Sequence, residues 1–89
     1  MHVESEKDFP ELRNQIAHWR KRFPTFIYDV NRIENIVENH IQEYSIALVH
    51  YRQSRKRYYL EQAQGHIDEI NRVIATVEKL ELMALLSRR

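Results

Sequence analysis

Residues 50–59, HYRQSRKRYY, combine side chains that could bind an anionic ligand. The stretch holds four cations and three tyrosines, and it contains no acid. Arginine and lysine displace counterions from phosphate groups, and tyrosine rings can stack on bases. Nucleic-acid binding is therefore a candidate function. The candidate contacts are Arg52, Arg55, Lys56, Arg57 and Tyr59.

The same cations also have a structural interpretation. Positive side chains near the carboxyl end of a helix complement the helix dipole. Residues 20–22 and 88–89 are basic too, and they lie at the ends of predicted helices. We therefore prefer the interpretation that the basic stretch complements a helix end. The alternative is a small dimeric nucleic-acid-binding protein that uses this stretch.

The residues needed for catalysis are largely missing. The absence of cysteine excludes thiolate nucleophiles, disulfides and cysteine-ligated zinc. With a single glycine, the chain cannot form a glycine-rich phosphate loop. The few serines and threonines occur in no nucleophile motif with an evident base and orienting acid. We predict no enzymatic activity, no catalytic residue and no cofactor.

Five histidines raise the question of a metal site. His40 with Glu43, and His66 with Glu69, are each three residues apart and would share a helical face. A hairpin turn near residue 64 would place His40 opposite the far end of the third helix, many helical turns from His66. We therefore predict no metal site, and expect His40 to be a hydrogen-bonded core residue that fixes register.

Length and composition limit the fold. The 89 residues are enough for one small domain, and 43% hydrophobic and 30% charged residues with one Gly and two Pro favour an ordered helical chain. The net charge of +1 gives no overall attraction to polyanions or membranes. The longest apolar run, residues 82–86, is too short for a membrane span. We expect a cytoplasmic protein.

A first helix is predicted over residues 9–22. Its apolar residues recur at three- and four-residue spacing, which is typical of one buried helical face. Asp8 is a suitable N-cap and Pro10 is tolerated in the first turn. The preceding residues 1–7 lack periodicity and are expected to be flexible. The apolar ladder comprises Phe9, Leu12, Ile16, Trp19 and Phe23.

A long second helix is predicted over residues 26–62. Pro24 disfavours helical geometry at Phe23, so a turn is expected there. The apolar ladder keeps one heptad phase from Phe9 to Tyr58, across Pro24. A single kinked helix is therefore the alternative to a turn. The second ladder comprises Phe26, Val30, Ile33, Val37, Tyr44, Ala47, Tyr51 and Tyr58.

A third helix is predicted over residues 66–86. Past Tyr58 the apolar phase shifts by two residues, or about 200° around a helix. Gly65 stands close to this shift and could end a helix in a left-handed cap. We therefore expect a turn at residues 63–66. The third ladder comprises Leu60, Ala63, Ile67, Ile70, Ile74 and Val77.

These elements predict an all-α chain of helical hairpins with coiled-coil-like seams. The outer helices would lie end to end along the middle one, leaving apolar surface that a homodimer or another helical protein would cover. We therefore predict an interaction and assembly module, such as an adaptor, a chaperone-like binder or a structural subunit. The expected interface residues are Trp19, Ile41, Tyr44, Leu48, Tyr51, Leu80, Leu82, Met83, Leu85 and Leu86.

Overall fold

The computed structural model describes residues 1–22 and 29–87. These residues form a short 3₁₀ turn, Glu6–Asp8, followed by three α-helices: α1, Phe9–Arg22; α2, Val30–Ser54; and α3, Arg57–Leu86. No strand occurs in this part of the chain. The predicted all-α class is confirmed, and α1 has the predicted bounds.

Helices α2 and α3 form an antiparallel hairpin whose turn consists of Arg55 and Lys56. The predicted helices over 26–62 and 66–86, with a turn at residues 63–66, are therefore wrong. Gly65 lies inside α3 and has no positive φ. The phase shift after Tyr58 was a closer guide to the turn than the glycine, because it records where the buried face changes sides.

Asp29 begins the hairpin as the N-cap of α2. Its backbone is extended, and its Oδ1 accepts a hydrogen bond from the Asn31 N–H at 2.9 Å. This side chain satisfies a backbone donor that the first helical turn leaves unpaired. The predicted start at residue 26 and the predicted turn at Pro24 lie outside the described residues.

Helix α1 packs against the half of the hairpin that is distant from the turn. The Phe9 and Tyr44 rings meet edge to face with centroids 5.5 Å apart, and Arg22 Nη1 lies 3.1 Å from Glu81 Oε1 on α3. The outer helices therefore do not lie end to end along α2. Since α3 folds back along α2 from Arg57, both outer helices lie beside the same half of α2.

The amino-terminal segment packs against α3 instead of fraying, which corrects the prediction for residues 1–7. Val3 is fully buried, and its N–H and carbonyl both bond to the Asn71 side chain. The Met1 ammonium lies 2.9 Å from the Glu78 carboxylate. Asp8, predicted as a helix cap, accepts instead from the Glu4 N–H at 2.8 Å.

The core combines the predicted ladders of all three helices with Val3. The buried residues on the helices are Phe9, Leu12, Ile16, Trp19, Val30, Ile33, Val37, Ile41, Tyr44, Ala47, Ala63, Ile67, Ile70, Ile74 and Val77. Tyr58, predicted on the second ladder, is 60% exposed because it follows the turn. Periodicity thus identified most of the core correctly.

The molecule is a rod with principal extents of 55 × 19 × 18 Å. The first residue of α1, Phe9, lies against Tyr44 of α2, and α2 continues for ten more residues toward the turn. The turn end of the rod is therefore only two helices thick. Among residues 1–22 and 29–87, no helix combines the length and hydrophobicity needed to cross a membrane.

Candidate functional site

The basic stretch forms the turn end of the hairpin, which we call the hairpin tip (residues 50–59). Arg55 adopts the left-handed conformation with φ 58°, and its N–H donates to the Tyr51 carbonyl at 2.7 Å. Ser54 supports the turn by accepting from the Lys56 N–H at 3.3 Å. The candidate nucleic-acid contacts therefore surround a turn and do not follow one flank of a continuous helix.

The cations of the hairpin tip are exposed and largely unpaired. Arg57 lies 3.5 Å from Glu61, and both side chains are mostly in solvent, so this pair contributes little to stability. Arg55 lies 5.7 Å from the centre of the Tyr51 ring. Within the described residues, no carboxylate lies within ion-pair distance of Arg52, Arg55 or Lys56.

The basic end of α1 provides a contrast. Arg20 Nη2 lies 3.3 Å from Glu34 on α2, and Arg22 is paired with Glu81 on α3. These arginines join α1 to the hairpin. Two basic clusters that look alike in the sequence therefore differ in structure, since only the hairpin tip presents most of its charge to solvent.

The helix dipole explains only part of the hairpin tip. Arg52 lies in the last turn of α2, where a cation is favourable. Lys56 and Arg57 instead occupy the N-cap and first position of α3, at the positive end of the dipole. The dipole interpretation therefore fails for these two residues.

Aromatic rings occupy one side of the hairpin tip. Tyr59 is half-buried and stacks on His50, with centroids 5.1 Å apart and an interplanar angle of 23°. Tyr58 meets Tyr59 edge to face at 5.3 Å, and the Tyr58 hydroxyl accepts from Gln62. Tyr59 is thus held in place, and Tyr58 is the ring open to a ligand.

His40 and His66 face each other across the α2–α3 seam. Their Nδ1 atoms are 3.0 Å apart, and both side chains are half-buried. The prediction that they lie many turns apart is wrong, because it assumed a turn near residue 64. No group of three or more potential metal-ligating side chains occurs among the described residues. The pair acts in the structure as an interhelical hydrogen bond.

The predicted interface residues fall into three groups. Trp19, Ile41 and Tyr44 are buried within this single chain. Leu48, Tyr51 and Leu80 are half-buried. The third group consists of residues 82–86 at the end of α3, which we call the C-terminal apolar block; its exposed fractions are 57% for Leu82, 54% for Met83, 45% for Leu85 and 63% for Leu86.

Helix length explains why α2 does not cover the C-terminal apolar block. The two hairpin helices share a turn, but α3 has 30 residues against 25 in α2. The end of α3 therefore extends about 7 Å past Val30 at 1.5 Å per residue. An adjacent cavity of about 300 Å³ lies between α2 and α3, with a lining of Ile33, Ile36, Arg72, Val73, Thr76, Val77 and Leu80.

The pKa values of titratable groups are shifted where α1 and the amino-terminal segment meet α2. Arg13 Nε and Nη2 donate to the two carboxylate oxygens of Glu38 at 2.9 and 3.2 Å, which lowers the pKa of Glu38. Burial raises the pKa of Tyr44, and the negative charge of Glu6 raises it further. The first shift arises from the ion pair with Arg13, and the second arises mainly from burial.

Sequence reasoning missed the Val3–Asn71 contact and the cavity beside Leu80. Neither has a local signal, because each joins segments that are distant in the chain. Comparisons with protein-family models, curated proteins and solved structures gave no match to this chain.

Proposed function

We propose that this protein is a non-enzymatic helical assembly module that self-associates through the C-terminal apolar block. Its role would be that of an adaptor, a chaperone-like binder or a structural subunit, and a cytoplasmic location remains the expectation from composition. The observation that carries the proposal is the exposure of Leu82, Met83, Leu85 and Leu86 at one end of the rod.

The arrangement of these side chains supports a partner of substantial size. Successive helical residues point 100° apart, so the four large side chains surround the end of α3 on several sides. Transfer of each from water into an interface is favourable by roughly 1–2 kcal/mol, given their present exposure. Leu80 and the cavity beside it continue the apolar surface toward the middle of the rod.

A second copy of the chain is a partner of matching chemistry. The four exposed side chains of the C-terminal apolar block are all large and apolar, so the block of one copy can cover the block of another. A twofold contact between two C-terminal apolar blocks would place the same residues on both sides.

Sedimentation velocity at micromolar concentration tests the proposal. The wild type is expected to sediment as a dimer, and Leu82→Gln with Leu86→Gln as a monomer of unchanged helicity. Ile46→Gln with Val49→Gln is the matched control, because these residues are exposed and apolar but lie on the outer side of α2. A monomeric wild type, or equal dissociation of both variants, would reject the proposal.

A further inference from the structure

The hairpin tip is a second surface, at the opposite end of the rod from the C-terminal apolar block. It presents Arg52, Arg55, Lys56 and Arg57 to solvent, together with Tyr58. Its chemistry is unlike that of the apolar block. The two surfaces can therefore be tested with separate variants.

Three consecutive residues of the hairpin tip are poor choices for stability. Arg55 has a left-handed backbone, where glycine avoids a clash that costs other residues about 1 kcal/mol. Lys56 is an N-cap without a side-chain hydrogen bond, although serine or aspartate there contributes about 1 kcal/mol. Arg57 follows in a first turn without an acid. Such local conflicts concentrate where residues serve a function other than folding.

The scarcity of acids around the cations of the hairpin tip supports the same conclusion. Arg20 and Arg22 show that basic residues of this chain form ion pairs where acids are near. At the hairpin tip, by contrast, Glu61 is the single carboxylate within ion-pair distance of any of the four cations, among the described residues. Four closely spaced positive charges with one exposed counter-charge attract an external anion.

The exposed ring of Tyr58 indicates which class of anion the hairpin tip would bind. Tyr58 is 60% exposed, and its position is set by contacts with Tyr59 and Gln62. Single-stranded nucleic acid offers both phosphates for the cations and unpaired bases that stack on such a ring. An acidic peptide offers the charge but no base to stack.

We propose that the hairpin tip binds single-stranded nucleic acid. Arg52, Arg55, Lys56 and Arg57 contact backbone phosphates, and one unpaired base stacks on Tyr58. Among the described residues, no group of side chains that could hold a metal ion accompanies the tip. Binding therefore depends on charge and stacking, with no sequence readout.

Fluorescence anisotropy with a labelled single strand, the matching duplex and a polyglutamate peptide of equal charge tests this proposal. The tip variant carries Arg52, Arg55, Lys56 and Arg57 changed to Gln. The charge-matched control carries Lys7, Lys21, Arg32 and Lys79 changed to Gln, all of which are exposed cations away from the tip. Circular dichroism checks that both remain helical.

We expect single-strand affinity to fall about fifty-fold for a fourfold rise in salt, as four neutralised phosphates require. The tip variant should lose this binding and the control should keep it. Tyr58→Ala should weaken single-strand binding about five-fold or more and leave duplex binding unchanged. If the tip variant unfolds, Arg52→Gln with Lys56→Gln replaces it, since both side chains are exposed.

Three results would overturn the proposal. Equal binding by the tip variant and the control would show that the hairpin tip is not the site. Tighter binding of polyglutamate than of the single strand would identify an acidic protein as the better partner. An unaffected Tyr58→Ala variant would remove the stacking contact that selects a single strand.

Discussion

The Asn71 side chain binds both backbone polar groups of Val3. Asn71 Oδ1 accepts from the Val3 N–H at 2.8 Å, and Asn71 Nδ2 donates to the Val3 carbonyl at 2.8 Å. This pairing lets an extended segment with a fully buried Val3 pack on a helix without leaving its peptide groups unsatisfied.

Asn71→Ala should therefore lower the free energy of unfolding by about 1–3 kcal/mol, because Val3 loses two part-buried hydrogen bonds. Urea denaturation measures the loss, and hydrogen exchange at the Val3 amide should become faster. Asn39→Ala on the exposed side of α2 is the control and should have little effect. Equal effects of the two variants would contradict this role for Asn71.

Gly65→Ala should stabilise the protein by about 1 kcal/mol. Gly65 lies inside α3 and has no positive φ. A Cβ added at this position would have no atom within 4 Å other than those of the neighbouring helical backbone. Alanine is favoured over glycine in a helix interior by about this amount.

The sign of the Gly65→Ala effect separates two folds. A helix that ended at Gly65 in a left-handed cap would be destabilised by alanine. Thermal unfolding measures the change, and Ala75→Gly, at an exposed position of the same helix, should give the opposite shift.

The hydrogen bond between His40 and His66 should be detectable as a coupling energy. One ring must donate and the other accept across the 3.0 Å separation of their Nδ1 atoms. A double-mutant cycle of His40→Ala and His66→Ala is expected to give about 1 kcal/mol of favourable coupling at mildly alkaline pH.

A control pair shows whether the coupling is specific to these two rings. His18→Ala, at an exposed position of α1, should show no coupling to His66→Ala. A coupling energy near zero between His40 and His66 would contradict the hydrogen bond.

Arg13→Gln should destabilise the protein near neutral pH and have no effect in acid. The ion pair lowers the pKa of folded Glu38 below its usual 4.5, so unfolding takes up protons in this range. Its contribution is fully present above about pH 4.5 and is lost as the pH falls through the lower, folded pKa.

The Arg13→Gln effect should be below about 1 kcal/mol, because both side chains are partly exposed. Urea denaturation between neutral pH and pH 3 measures it, and Arg32→Gln provides an exposed control on α2. An effect that does not decrease in acid would assign the role of Arg13 to packing instead of charge.

The sequence by itself determined the helical class, α1 and most of the core. Helical spacing of apolar residues is a local property, so it survives errors in the placement of turns. Ile33 and Val37, or Ile70 and Ile74, belong to a buried face whichever helix they pack against.

Tertiary structure alone decided the turn, the histidine pair and the course of residues 1–7. Glycine is the usual signal for a left-handed turn, yet Arg55 occupies that position and Gly65 does not. The local cost of about 1 kcal/mol is small compared with the packing of α3 along the full length of α2. Contacts such as Val3–Asn71 and His40–His66 join segments that are distant in the chain, so no local pattern predicts them.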